Sequence, residues 1–167
     1  KKPKPKLIKE RKKGVLYSVN SWNGYFYNHT NENAEDFKVE RCKDLLNQKW
    51  EKFIEPKSEV LIGGVTFLKN WILRSEVSNA LAKLFVREIN SDKEEEIVFT
   101  NENVIDPGIS FVQKDRDTDK LYLSYSSPKT QNRVYLYDLK TKERKLVKEQ
   151  IIPSGHNSDD YIVERLE

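Results

Sequence analysis

Nucleophilic, acid–base or metal chemistry in this chain would have to come from Cys42, the two histidines His29 and His156, the acidic runs Glu94-Glu95-Glu96 and Asp159-Asp160, or a serine. None of them stands in the pattern its chemistry needs. A serine hydrolase of the α/β type requires Gly-x-Ser-x-Gly on a strand-to-helix turn, with Asp and His following, and the sequence has no such motif. The histidines have no adjacent Cys and no HExxH-type partner, so both read as surface residues in polar, turn-like contexts. The acidic runs lack the alternating ligand spacing of a calcium loop and read as solvated charges in turns. Gly63-Gly64 lacks the P-loop lysine and opens no helix, so it reads as a bulge or a close backbone approach within a strand. The expectation is therefore no catalytic residue, no cofactor and no metal.

The composition bounds the partners. A 167-residue chain that is 37% hydrophobic is long enough for one domain with a real core. Its charges, 34% of residues, alternate with aromatic and branched side chains as on solvated strand faces. Residues 1–13 form a basic tail or linker, with eight Lys or Arg against the single acid Glu10, so the body beneath the net charge of +3 is slightly acidic. A basic arm binds nucleic acid by counterion release, but the body offers no second basic patch, and no nucleic-acid partner is expected. With one cysteine there is neither an internal disulfide nor a Cys-based zinc cluster, and Cys42 reads as a packing residue in a reducing compartment. No apolar run approaches the ~18 residues that span a bilayer, so no membrane partner and a cytoplasmic location are expected. There is no Met, so Lys1 is not a retained initiator and the chain reads as processed or as a piece of something longer.

The elements that would position any site are strands. Short apolar runs separated by Asn, Gly, Asp and Lys turns predict strands over 15–19, 25–29, 37–42 and 50–54. A second group covers 60–68, 71–76, 81–89 and 95–99, and a third 108–112, 121–125, 133–137 and 145–148. Residues 78–90 also carry a helical spacing through Leu81, Leu84, Phe85 and Ile89, but their place in the repeat predicts a strand. Tyr25, Trp71 and Leu121 open equivalent strands 46 and 50 residues apart. Four antiparallel strands per repeat at that period indicate an all-β, partial β-propeller of about three four-stranded antiparallel blades, approximately 14–56, 57–103 and 104–150. The alternative is an antiparallel sandwich. One face of the strand at 121–125 carries Leu121, Leu123 and Tyr125, while in 134–137 both faces are apolar, as packing between neighbouring blades requires.

The third repeat, Lys120-Leu121-Tyr122-Leu123-Ser124-Tyr125-Ser126-Ser127-Pro128 with Arg133-Val134-Tyr135-Leu136-Tyr137-Asp138-Leu139 and Glu143-Arg144-Lys145-Leu146-Val147-Lys148, resembles the last propeller blade of the oligopeptidase B branch (protease II) of the prolyl oligopeptidase family. Ile152-Pro153-Ser154-Gly155-His156-Asn157 and Asp160-Tyr161-Ile162-Val163-Glu164-Arg165-Leu166 resemble the strand that re-enters its peptidase domain. Upstream, Trp50-Glu51-Lys52-Phe53-Ile54 and Phe67-Leu68-Lys69-Asn70-Trp71 are similar to blade edges and starts. The resemblance covers residues 14–167.

It implies a seven-bladed propeller that covers an α/β-hydrolase domain, admits short peptides and cleaves after basic residues, with the catalytic groups in the hydrolase domain. This sequence stops where that domain would begin, so it is expected to be a non-catalytic propeller fragment, with 151–167 leading toward the peptidase domain. A separately encoded peptidase domain and short peptides are the expected partners. Tyr161, Ile162, Val163 and Arg165 are the candidate interdomain contacts, with Asp159, Asp160 and Glu164 setting register beside them. Homo-oligomers through exposed blade faces, and a stand-alone β-rich interaction module, are the other outcomes weighed.

Overall fold

The structure, a computed structural model, describes residues 4–91, 93–98, 115–164 and the backbone of 110–112. The first sheet has the order β1 (Tyr17–Trp22), β2 (Tyr25–Thr30), β3 (Lys38–Cys42), β4 (Glu51–Ile54). The second runs β5 (Val60–Phe67), β6 (Trp71–Ser78), β7 (Leu81–Glu88), β8 (Glu94–Glu96), and the third β9 (Ser110–Val112), β10 (Lys120–Ser127), β11 (Thr130–Asp138), β12 (Arg144–Glu149). Neighbouring strands in each sheet follow one another in sequence, so each group of four is a meander. The helical competitor at 78–90 is β7, paired residue by residue with β6 from Trp71↔Glu88 to Ser78↔Leu81. Phe99 and Gly108, at the ends of two expected strands, lie outside the described residues.

Turn chemistry sets the registers. Trp22 pairs with Tyr25 across Asn23-Gly24, whose φ values of 45° and 75° suit the two-residue hairpin turn that follows the twist of its strands. Ser21 and Trp22, past the end of the strand expected over 15–19, belong to β1. The β6–β7 hairpin has the same length but uses Asn79-Ala80, with Ala80 at φ 57°. A Cβ is disfavoured there, by ~1–2 kcal/mol for L-residues held left-handed. Ala80→Gly is expected to raise stability by about 0.5–1 kcal/mol, net of glycine's unfolded-state entropy, as read by the denaturant midpoint; a lower midpoint would show that the turn is not under this strain. The β11–β12 hairpin is closed by Asp138, whose Oδ1 accepts from the Lys140 and Thr141 N–H groups at 2.9 and 3.1 Å.

Residues 1–62 and 63–167 form two compact units. In the first, Tyr27, Val39, Cys42 and Thr30 are buried. Tyr27 meets Phe53 edge-on at 4.9 Å, and the Arg41 guanidinium lies 4.7 Å over Tyr25 while bonding Glu51 at 2.7 Å. Thr30 Oγ1 donates to Leu16 O, and the Asn31 amide bonds Leu16 N–H and Gly14 O, which holds the chain entering β1. The basic segment is tied down too: Lys9 pairs with Glu32, Tyr17 OH donates to Lys9 O at 2.8 Å, and Gln48 donates to Ile8 O.

In the second unit one core joins two blades. Leu68, Leu73, Leu84, Val86 and Ile97 of the second sheet and its flanks pack with Leu121, Leu123, Tyr125 and Leu139 of the third. The expected apolar face of β10 is this core, with Leu121 and Leu123 at 0% exposure. Each such leucine contributes ~1.5–3 kcal/mol by leaving water, which explains why a meander with two faces to cover is stable only against a neighbour.

Candidate functional site

The sequence directs attention to the segment after β12, and the structure folds it into a turn rather than a strand. Gln150 N–H makes the last rung to Asn132 O at 2.8 Å. The chain then turns at Ile152–Gly155, where Gly155 has φ 81° and donates to Ile152 O at 2.9 Å. Asn157 caps a single 3-10 turn, Ser158–Asp160, by accepting from Asp159 N–H. The strand expected from the resemblance is thus a 3-10 turn followed by unpaired chain among the described residues, because Asn157 satisfies the backbone locally. Tyr161 and Ile162 are 52% and 87% exposed, and Val163 is half-buried. Arg165 lies outside the described residues.

The two histidines differ from each other. His156 is exposed, as expected, in the loop between the Ile152–Gly155 turn and the 3-10 turn, with Nε2 2.8 Å from Lys129 O and its ring stacked on Tyr161. His29 is a strand residue in β2, half-buried against Phe37 at 4.7 Å, with Nε2 2.8 Å from Ile62 O. Its polar neighbours Asn28 and Thr30 are buried. Cys42 packs at 2% exposure, and burial pushes its thiol pKa up. It borders a depression of about 480 Å³ lined also by Tyr25, Lys43, Asp44, Lys49 and Glu51. That lining offers no histidine to take a proton, so the depression has no nucleophile–base pair.

The run Glu94–Glu96 is not a solvated turn. It is the edge strand β8, and its carboxylates meet cations: Glu94 bonds Arg74 at 2.6 Å, Glu95 pairs with Lys142, and Glu96 lies 3.8 Å from Lys83. The Lys142 bond holds the Glu95 carboxyl below its ordinary range. Arg74 and Glu76, passed over in the sequence, are buried at 2% and 5% exposure, bonded to each other, with Arg74 4.4 Å over the Phe85 ring. Their i, i+2 spacing in a strand was the available signal for a shared face. Gly63 stands at a close approach, since a Cβ there would lie 2.9 Å from Ser75 Oγ.

Asp119 is the other residue that sequence reasoning missed. Its carboxylate accepts from Trp71 Nε1 at 2.8 Å and pairs with Lys140 at 2.6 Å, while its carbonyl accepts from Leu139 N–H. With Lys69 N–H donating to Arg116 O, these bonds clasp the β5–β6 turn to the loop before β10. The Lys140 and Trp71 bonds hold Asp119 below the ordinary aspartate range. The clasp is therefore complete above an unfolded-state pKa of about 3.9 and is lost as the pH falls through the lower folded value. Thermal unfolding at falling pH is expected to show Asp119→Asn losing less stability on acidification than the parent; equal slopes would show that the carboxylate's charge contributes nothing.

These are interblade fasteners and an exposed exit segment, and the described side chains assemble no catalytic set. The sequence matches the prolyl oligopeptidase N-terminal β-propeller domain over residues 1–150. The chain belongs to that family. The propeller match includes the basic N-terminal segment. The chain is 27% identical over 163 residues to the dipeptidyl aminopeptidase BI of Pseudoxanthomonas mexicana, covering 96% of this chain and 22% of that protein. Oligopeptidase B from Trypanosoma brucei superposes with a TM-score of 0.81 at 25% identity, covering 93% of this chain and 23% of that one. Oligopeptidase B from Leishmania major gives 0.81 at 19% identity, covering 95% and 24%. The three sheets are thus blades of a partial β-propeller, and the chain spans between a fifth and a quarter of these relatives' length. Among the described residues no helix is long and apolar enough to cross a membrane.

Proposed function

We propose that these blades are a non-catalytic part of an oligopeptidase B-like serine peptidase, in which an α/β-hydrolase domain cleaves short peptides after basic residues and the propeller restricts access to it. The observation that carries the reading is the pairing of a propeller-family match over residues 1–150 with a sequence that has no Gly-x-Ser-x-Gly elbow. The exposed Tyr161 and Ile162 support the exit segment as the contact with the peptidase domain. The single, buried Cys42 is compatible with a reducing, cytoplasmic setting. Tyr122 and Val147, 49% and 53% exposed on the last blade, favour a competing outcome, association of copies when the chain is studied alone.

The test compares the peptidase domain with and without the propeller on a short fluorogenic peptide ending in Arg and on a long basic polypeptide. The propeller should preserve cleavage of the short peptide and suppress that of the long one. Equal suppression of both, or of neither, would contradict an access role and leave the interaction-module reading.

A further inference from the structure

Beyond β12 the chain is not a trailing end. The Ile152–Gly155 turn brings His156 back over the β10–β11 turn, where Nε2 lies 2.8 Å from the Lys129 carbonyl oxygen. A carbonyl accepts only, so that nitrogen carries a proton and donates it. The other face of the interaction is aromatic: the imidazole stacks on Tyr161 with centroids 5.2 Å apart and planes 20° from parallel. Between the two rings the chain is braced internally. Asn157 Nδ2 donates to Asp160 Oδ1 at 3.0 Å, its own oxygen accepts from Asp159 N–H at 3.2 Å, and Tyr161 N–H donates to Ser158 O at 3.3 Å. A donor to the blade, a stacked ring and a capped turn together make a small rigid body. Its next residue, Ile162, is 87% exposed.

We propose that His156 is a positioning residue: through its bond to Lys129 O and its stack on Tyr161 it fixes the direction in which the chain leaves the last blade, and so how Tyr161 and Ile162 are presented to the peptidase domain. This rests on the proposed function. The residue touches no substrate and acts through Tyr161. Losing one hydrogen bond and one ring stack opens a local structure about tenfold more often, without unfolding the blade it is pinned to.

Amide hydrogen exchange on the whole chain tests the clamp, comparing the parent with His156→Ala and His156→Gln, the latter retaining a side-chain N–H donor. Exchange at Tyr161 N–H should rise about tenfold in His156→Ala and fall back partway in His156→Gln, with β10 and β11 protection unchanged. Unchanged exchange at Tyr161, or protection lost throughout β10 and β11, would overturn the clamp. A second arm measures hydrolysis of an Arg-ended fluorogenic peptide by the propeller assembled with its peptidase domain. His156→Ala should lower kcat several-fold with partial recovery in His156→Gln, since residues that set domain geometry act on turnover. Faster exchange with unchanged kcat would overturn the positioning role while leaving the proposed function intact. No hydrolysis by the unmutated assembly would overturn that function and this inference with it, a failure that the exchange arm separates because it uses no peptidase domain.

Discussion

Replacing Arg74 by alanine is expected to cost the 63–167 unit about 3–5 kcal/mol, because it breaks a buried ion pair by removing one partner. The guanidinium is 2% exposed, bonds Glu76 and Glu94, and covers the Phe85 ring. Without it, Glu76 at 5% exposure loses the guanidinium that bonds it, and burial makes that loss costly. The asymmetry between breaking and replacing the pair is the diagnostic. Arg74→Met with Glu76→Met removes both charges together and should recover most of the loss, since a buried pair rarely stabilises more than apolar side chains of its own size. Urea unfolding of the parent, Arg74→Met, Glu76→Met and the double variant gives the coupling directly. A loss below about 1 kcal/mol in Arg74→Ala would mean that the pair is solvated.

Leu123→Ala is the second large effect, at about 2–5 kcal/mol. Leu123 is at 0% exposure, in the cluster that the second and third blades share with Leu73, Leu84 and Leu121. The alanine leaves a cavity whose walls belong to two sheets, and their hydrogen-bond ladders limit how far it can collapse. Tyr122, its neighbour on the opposite face of β10, is 49% exposed, and Tyr122→Ser should cost under about 0.5 kcal/mol. The contrast checks the register itself, because a slip of one residue would exchange the two effects. The denaturant midpoint should fall in Leu123→Ala with an unchanged slope; similar losses in both variants would contradict the assigned faces.

The strands were legible because period-two alternation and turn residues recur together. Leu121, Leu123 and Tyr125 announced the core face. Boundaries moved by a residue or two where a polar side chain sits inside a strand, as with Ser21 and Thr30. What stayed hidden was polar chemistry made by distant residues. Glu94–Glu96 looks like a solvated turn until the fold brings Arg74, Lys83 and Lys142 to it. Asp119 looks like one acid among several until Trp71, 48 residues away, donates to it. The exit segment was identified as the interdomain candidate from a resemblance, but its 3-10 turn depends on Asn157 and its anchor on His156, and neither follows from alternation.

The central claim is that these blades contribute no nucleophile and act on one supplied by a hydrolase domain. The measurement that tests it most directly is hydrolysis of a fluorogenic peptide ending in Arg by the purified chain, by the peptidase domain, and by the two together. The account predicts no turnover by the chain and a mixture whose rate or peptide preference differs from that of the domain alone. Turnover by the chain, or a mixture indistinguishable from the domain, would contradict it.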